Sequence, residues 1–471
     1  MVLAHPDIKQ EIAMTNIDHT IFRAYDIRGI VDKSLTEATV TEIGKALGSL
    51  ALRTKQHSIV TARDGRLSGP RLVNALQQGI LSTGCNVIDI GAVPTPLLYF
   101  ATKTLDTQSG AVVTGSHNPS DYNGIKMVLA DNALAGDAIQ ELYQSIKDKN
   151  FLSGKGSLSE KNIVEQYCQH ISNDIKLDRP LKIVVDSGNG ICGAIAPKLY
   201  RELGCDVTEL FCEVDGNFPN HHPDPSQLKN LEALIDAVKK TNADIGFAFD
   251  GDGDRLGVIT NQGEVIWPDR QLMLFAIDVL SRNRGATIIY DVKSSSHVAE
   301  VVKKHAGTPL MWKTGHSFVK AKLKETDALL AGEMSGHTFF KERWFGFDDG
   351  IYAGARLLEI LAKQKTTSSE VFHNIPDSIN TPELKLPVSE EQKFILMEKI
   401  SQTLHFPDAL LTTIDGVRAD FADGWGLIRP SNTTPYLVLR FEADSEKSLL
   451  RIQDQFRQQL LSIDSTLALP F

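Results

Sequence analysis

Three stretches of this chain repeat one pattern of apolar and polar positions. Residues 58–91 read SIVTARDGRLSGPRLVNALQQGILSTGCNVIDIG, residues 181–211 read LKIVVDSGNGICGAIAPKLYRELGCDVTELF, and residues 286–315 read ATIIYDVKSSSHVAEVVKKHAGTPLMWKTG. Each opens on a short apolar, largely β-branched run that ends in aspartate (Asp64, Asp186, Asp291). A loop of small residues follows, then apolar positions at helical spacing, then a second apolar run. The first two copies share Gly84-Cys85 and Gly204-Cys205 before the second run. The spacing predicts three strand–loop–helix–strand units, hence α/β layers with mixed, mostly parallel sheets. Ligands in such folds gather beyond the carboxyl ends of strands. Three units can offer such loops to one cleft or stand independently, and the repeat alone leaves both open.

The C-terminal part breaks the pattern. GVRADF, GWGLIRP and PYLVLRFEA read as strands between turns, and SEKSLLRIQDQFRQQLLSI reads as an amphipathic helix. That predicts a smaller α+β domain. Boundaries fall near FLSGKGSLSE, near Gly263 and near NIPDSINTPELKLP. The expected divisions are an N-terminal extension (1–20), α/β domains over 21–160, 161–263 and 264–376, and the α+β domain over 377–471.

Length and charge narrow the function. The 471 residues suffice for three or four domains, and 42% hydrophobic with 23% charged residues is ordinary globular composition. A net charge of −10 argues against a nucleic-acid binder with a broad basic face. Anion binding then needs positive charge gathered in one cleft. Five scattered cysteines without a CxxC pair exclude a disulfide scaffold and a thiolate zinc site, and read as buried reduced thiols. The N-terminus lacks a basic and apolar leader, and no apolar stretch reaches membrane-spanning length. The expectation is a cytoplasmic protein without nucleic-acid or membrane partners.

Four loops carry candidate chemistry. TGSHNP (Thr114–Pro119) follows the apolar run GAVVT and puts Ser116 at a strand end, beside His117 and ten residues before Lys126. Ser116 can be a nucleophile or phosphate carrier, given a base or metal. Alone it fits equally an ordinary turn before Asn118-Pro119. DGDGDR (Asp250–Arg255) follows IGFAF. In an extended segment alternate side chains share a face, so Asp250, Asp252 and Asp254 would converge on one hard cation such as Mg²⁺. An EF-hand fails on spacing: counted from Asp250, its glycine and final glutamate positions hold Arg255 and Asn261. A solvated acidic turn is the remaining alternative.

GEMSGH (Gly332–His337) sets Glu333 and Ser335 two apart, a pairing that suits vicinal sugar hydroxyls, with His337 able to move a proton or serve structurally. RPSNTTP (Arg429–Pro435) offers a guanidinium fork and the donors of Ser431, Asn432 and Thr433, and alone also fits a polar hairpin turn. Arg28 near Tyr25, Lys126, Arg255, Lys293 and the turn Thr314-Gly315-His316 add candidate anion and substrate contacts.

These four motifs, with FRAYDIRG near the start and ERWFGFDDG after the third loop, occur in the order and spacing of the α-D-phosphohexomutase family. From about Ile21 onward the chain resembles that family, and within it the bacterial phosphomannomutase/phosphoglucomutase branch. RPSNTTP resembles that branch more than the Gly–Thr–Glu loop of phosphoglucosamine mutases.

The resemblance implies three related α/β domains and a different fourth domain around a central cleft. It implies that Ser116 is the phosphoserine, and that Asp250, Asp252 and Asp254 hold Mg²⁺ together with a phosphate oxygen on Ser116. Glu333 and Ser335 would read the sugar. Arg429, Ser431, Asn432 and Thr433 would hold the non-transferring phosphate. Tyr25, Arg28, Lys126, Arg255, Lys293, Thr314, Gly315, His316 and His337 would support them, with His117 beside the nucleophile. The implied reaction interconverts hexose 1-phosphate and hexose 6-phosphate of glucose and mannose. It passes through a 1,6-bisphosphate that turns in the cleft and also activates the enzyme. Either Lys126 or His337 would exchange the hydroxyl proton. A monomer is expected. Phosphoglucosamine mutase, a metal-dependent sugar phosphatase and a non-catalytic sugar-phosphate binder are the alternatives.

Overall fold

Each apolar run of the repeat becomes a strand, and each unit gains at least two more. The first unit has β1 (Ser58–Arg63), β2 (Asn86–Ala92), β3 (Gly110–Val113) and β4 (Tyr122–Leu129). The second has β5 (Lys182–Asp186), β6 (Asp206–Leu210), β7 (Ile245–Phe249) and β8 (Leu256–Thr260). The third has β9 (Thr287–Asp291), β10 (Thr308–Trp312), β11 (Leu330–Gly332) and β12 (Thr338–Phe340). The computed structural model describes residues 17–432 and 434–471. The expected N-terminal extension, up to residue 16, and Thr433 therefore lie outside the described residues. Ile17 and Ile21 pack in the core of the first unit.

The three sheets share one order, β2-β1-β3-β4, β6-β5-β7-β8 and β10-β9-β11-β12. The first three strands of each set are parallel. The fourth is antiparallel to the third. The sheets are thus mixed, with parallel centres and antiparallel returns. The reason is connection length: a parallel return needs a crossover of about a dozen residues or more, and only a short loop joins these strands. That loop is TGSHNP in the first unit, DGDGDR in the second and GEMSGH in the third. Gly263, near the expected boundary, is a left-handed hairpin residue (φ +81°). It folds Val265–Ile266 back against β8, so the second sheet runs past residue 263.

Packing joins the units. One continuous core runs through Val60, Val185, Phe247, Ile288 and Ile351 of all three. In the first unit the helices Glu37–Arg53 and Gly69–Leu81 touch backbone to backbone. A Cβ on Gly44 would lie 2.3 Å from the Leu76 carbonyl oxygen, and one on Gly79 2.2 Å from that of Thr41. The fourth unit is antiparallel, with β13 (Val417–Phe421), β14 (Gly424–Pro430) and β15 (Tyr436–Ala443) under the helix Glu446–Ile463. It has its own core around Ile400, Leu439 and Phe456. It meets the third unit through a small cluster of Val292, Trp425 and Leu427. There Arg418 lies 3.9 Å over the Trp425 ring and donates to the carbonyls of Val292 and Ser294, each at 2.8 Å.

The buried helix Gly350–Ala362 supplies a stability prediction. Its N-cap Asp349 accepts the Tyr352 N–H and the Tyr167 hydroxyl, each at 2.9 Å. Burial pushes the Asp349 carboxyl up to about 7. An unfolded aspartate titrates near about 3.9. The folded chain therefore holds an extra proton between these values, and the stability it contributes is lost as pH rises through about 7. Asp349→Asn keeps the cap and removes the titration. Thermal melts between about pH 4 and 8 are expected to show the variant gaining on the wild type by about 1–2 °C or more as pH rises. A constant difference across that range refutes the assignment.

Candidate active site

The loop that carries the candidate nucleophile Ser116 is held by groups beneath it. Ser116 is a buried residue at φ +47°, a left-handed conformation costly for a residue with a Cβ. Its N–H donates to Thr114 Oγ1 (2.9 Å), and Thr114 Oγ1 donates to Asp64 Oδ2 (2.8 Å), which also accepts Gly115 N–H (3.1 Å). Its carbonyl accepts from buried Arg66 (2.9 Å), whose guanidinium also reaches the carbonyls of Asn118, Pro119 and Tyr122. With both peptide groups fixed, Ser116 Oγ faces Asp250 Oδ2 at 2.9 Å and His117 Nδ1 at 3.2 Å. Burial, then Arg255, Arg28 and Lys126, hold the His117 imidazole well below its usual pKa. It is neutral at neutral pH.

The three aspartates of the second loop do converge, but on a turn. The chain from Asp250 to Asp254 is not extended, and Gly253 (φ +79°) reverses it. One carboxylate oxygen from each lies within 4.8 Å of the others. Lys126 bridges Asp252 (2.7 Å) and Asp254, and Thr95 donates to Asp252 (2.6 Å). Asp252 Oδ1 and Asp254 Oδ1 are buried without a hydrogen-bond partner among the described residues. Burial, then Asp254 and Asp252, push the Asp250 carboxyl well above its usual range. Lys126 is opposed by burial, yet Asp252 and Asp254 hold its ammonium charged well above the ordinary value. All-oxygen donors, two orphaned oxygens and excess negative charge fit a hard divalent cation. Asp254, His337 and Asp348 form a second close group. Lys320 already supplies a cation there, 2.8 Å from Asp348.

The remaining loops face the same space. Glu333 Oε1 accepts Gly315 N–H (2.5 Å), and its Oε2 is buried without a partner among the described residues. His337 Nε2 accepts Arg255 Nε–H (3.1 Å), and its Nδ1 lies 3.0 Å from Asp348. His316 is driven well below its usual pKa by burial and then by Lys320. Lys320 sits 3.1 Å from His316 Nδ1 and can donate to it, which places the neutral ring's proton on Nε2. Arg429 pairs with Asp415 (3.0 Å) and keeps a buried Nη2 without a partner among the described residues. Buried Lys393 donates to the carbonyls of Ser431 (2.8 Å) and Thr434 (3.1 Å) and so shapes that loop. Lys293 pairs with Glu383 (2.6 Å), whose carboxyl it lowers to about 2.

All four loops open onto one cavity of about 860 Å³. Its walls include Tyr25, Arg28, Ser116, His117, Lys126, Arg255, Lys293, Thr314, Gly315, His316, Glu333, Ser335, His337, Arg429, Ser431 and Asn432. The three aspartates lie fully buried behind Ser116 and Lys126. The volume sits within the range of small-molecule sites. Every described residue expected at the site is therefore brought to one place. Sequence reasoning did not single out Arg66, Thr95, Lys320, Glu383 or Lys393. Asp348 lay within the recognised stretch ERWFGFDDG without an assigned part. Asp64 was visible as a repeat position, also without one.

Comparison with known proteins matches this arrangement along the chain. Models described as phosphoglucomutase/phosphomannomutase, alpha/beta/alpha domains I, II and III, match residues 19–153, 165–263 and 267–379. The C-terminal domain model matches residues 383–459. A phosphomannomutase/phosphoglucomutase of Pseudomonas aeruginosa is 55% identical over 452 residues, covering 96% of this chain and 98% of the relative. A phosphoglucomutase of Neisseria meningitidis is 54% identical over 448 residues, covering 94% and 97%. The crystal structure of a phosphoglucomutase/phosphomannomutase family protein from Burkholderia thailandensis superimposes with a TM-score of 0.92 at 53% identity, covering 97% of this chain and all of that one.

Proposed function

The chain belongs to the phosphoglucomutase/phosphomannomutase family and is a hexose-phosphate mutase, and we propose that Ser116 carries the phosphoryl group it moves between C1 and C6 of glucose and mannose phosphates. The observation that carries this reading is the single cavity shared by a serine on a carboxylate cluster, a sugar-reading pair and a buried arginine loop. A phosphatase needs the first of these and has no use for the other two.

In the proposed cycle the bond from phosphorus to Ser116 Oγ breaks as a bond to a sugar hydroxyl forms. One proton passes, net, from that hydroxyl to Oγ. The 1,6-bisphosphate so formed turns in the cavity and returns its other phosphate. Phosphoryl transfer depends on in-line placement and charge neutralisation. Mg²⁺ held by Asp250, Asp252 and Asp254 would supply part of that neutralisation when bound. Lys126 and Arg255 supply the rest. Lys126 begins charged, so it relays the proton by giving one to Oγ before taking one from the sugar. His337 Nε2 accepts from Arg255 and its Nδ1 lies 3.0 Å from Asp348, which favours a role in holding Arg255. Glu333 Oε2 and Ser335 read adjacent sugar hydroxyls. Arg429, Ser431, Asn432 and Thr433 hold the second phosphate, with Lys293 beside them, while Tyr25, Arg28, Thr314, Gly315 and His316 line the space in which the sugar turns.

We further propose one Mg²⁺ per chain, activation by glucose or mannose 1,6-bisphosphate, and a monomer working in the cytoplasm. One chain provides every loop, so no second copy is needed to complete the cavity. No helix among the described residues is long and apolar enough to cross a membrane. The test is a parallel assay with glucose, mannose and glucosamine 1-phosphates, measuring both the 6-phosphate and free phosphate. Glucose and mannose are expected to isomerise with little free phosphate. Free phosphate as the main product would replace the reading by a phosphatase, and preference for glucosamine would replace it by a glucosamine mutase.

A further inference from the structure

The proposed reaction leaves the most regular feature of the sequence without a part. An aspartate closes or directly follows β1, β5 and β9, and Asp64, Asp186 and Asp291 are each no more than 1% exposed. In all three sheets that strand lies beside the one (β3, β7, β11) whose end bears a catalytic loop. Part of each carboxylate serves its own turn. Asp64 Oδ1 accepts Arg66 N–H, Asp186 Oδ1 accepts Gly188 N–H, and Asp291 Oδ1 accepts Ser294 Oγ. A turn-capping aspartate would stop there.

These three do not stop there. Asp64 Oδ2 accepts Thr114 Oγ1 and Gly115 N–H, the two residues before the nucleophile. Asp291 accepts Met334 N–H (3.2 Å), the residue between Glu333 and Ser335, and its Oδ2 accepts Thr314 Oγ1 (3.0 Å). Asp186 binds His221 Nε2 (3.0 Å), and the next residue, His222, contacts the carbonyl of His117.

We propose that these aspartates are positioning residues with separate duties: Asp64 sets the direction in which the Ser116 phosphoryl group faces the sugar, and Asp291 sets the sugar-reading pair. Asp186 steadies the segment seated on the nucleophile loop. The inference rests on the mutase reading above. A carboxylate accepts on both oxygens, whereas an amide of the same shape turns one of them into a donor. Asparagine at position 64 thus turns an amide donor onto a backbone N–H whichever way it sits, and at position 291 it reverses the bond to Thr314, whose hydroxyl must then accept.

The test is steady-state kinetics of the full-length wild type, Asp64→Asn and Asp291→Asn with glucose 1-phosphate, saturating glucose 1,6-bisphosphate and Mg²⁺, alongside thermal melts. Asp64→Asn is expected to lose about 100-fold in kcat with KM within about threefold, because it misaligns transfer without touching the sugar or phosphate grips. Asp291→Asn is expected to raise KM about tenfold with kcat within about fivefold, because the readers act in the ground state as well. Ser294→Ala removes one donor from Asp291, and Thr114→Val removes one from Asp64 together with the acceptor of the Ser116 N–H; both are expected to show the same split, Ser294→Ala at smaller size. They decide the matter should an asparagine variant not fold. Equal loss in both parameters, or losses that only follow the melting temperature, would overturn the proposal. A wild type that fails to isomerise glucose 1-phosphate would instead sink the mutase reading itself.

Discussion

Ser116→Ala is expected to lower the turnover of glucose 1-phosphate by roughly 10⁴-fold or more and to abolish phosphate incorporation. The side chain has two polar contacts, to Asp250 and His117. Its removal therefore leaves the Arg66 and Asp64 grips on the loop backbone intact. Alanine accepts the left-handed backbone about as badly as serine, so the loop geometry is retained. What is lost is the oxygen proposed to carry the ester. The measurement pairs the coupled rate with intact mass after incubation with glucose 1,6-bisphosphate. Wild type is expected to gain the mass of one phosphoryl group, and the variant none. His117, 3.2 Å from Ser116 Oγ, is a rival acceptor for the phosphoryl group. A phosphoserine survives acid whereas a phosphohistidine does not, so acid stability of the label separates them. A variant that keeps more than about a tenth of the wild-type rate would remove Ser116 from the chemistry.

The chain made its loops legible for a physical reason. Ser116, the aspartates of DGDGDR, Glu333 and Arg429 are proposed to act through their own side chains, and they stand on short connections after buried strands. Residue type and strand pattern are both visible in sequence. The supports were hidden because they act through backbone or distant partners. Arg66 binds four carbonyls some fifty residues away, and carbonyls carry no residue signature. Glu383 pairs with Lys293 across two units, from a segment that reads as a linker. The aspartates of the second loop show a correct convergence with a different cause. Alternation in an extended strand would also have brought them together, but a turn at Gly253 does so here. The mixed, mostly parallel sheets are as expected, but apolar runs mark burial on both faces and say nothing of direction, so which strands return antiparallel (β4, β8 and β12) is not marked in them. The left-handed φ of Ser116 is likewise absent from the sequence, since no glycine marks the place.

Removal of divalent cation by a chelator is expected to cost at least about 10³-fold in rate, with recovery on adding Mg²⁺. The charge arithmetic requires it. Two carboxylate charges no more than 4.8 Å apart repel by at least about 3 kcal/mol at an effective dielectric of about 20. Three such pairs face one ammonium, Lys126, with Arg255 3.8 Å from Asp250. A phosphoryl group on Ser116 would add about two more negative charges at Asp250. The side chains in place cannot balance that sum, so the phosphorylated state needs a further cation most. Its loss should therefore strike phosphoryl transfer harder than sugar binding. The same reasoning makes Asp252→Asn informative. Asp252 gives one oxygen to Lys126 and Thr95 and has the other unpartnered among the described residues. The variant is expected to need at least about tenfold more Mg²⁺ for half-maximal rate and to leave KM for the sugar phosphate within about threefold. Oxygen-only, closely set donors favour the smaller ion, so Ca²⁺ at equal concentration should restore less activity. Chelated enzyme that works at the full rate, or an Asp252→Asn enzyme with an unchanged Mg²⁺ requirement, would show that the cluster is balanced by protons and Lys126 alone.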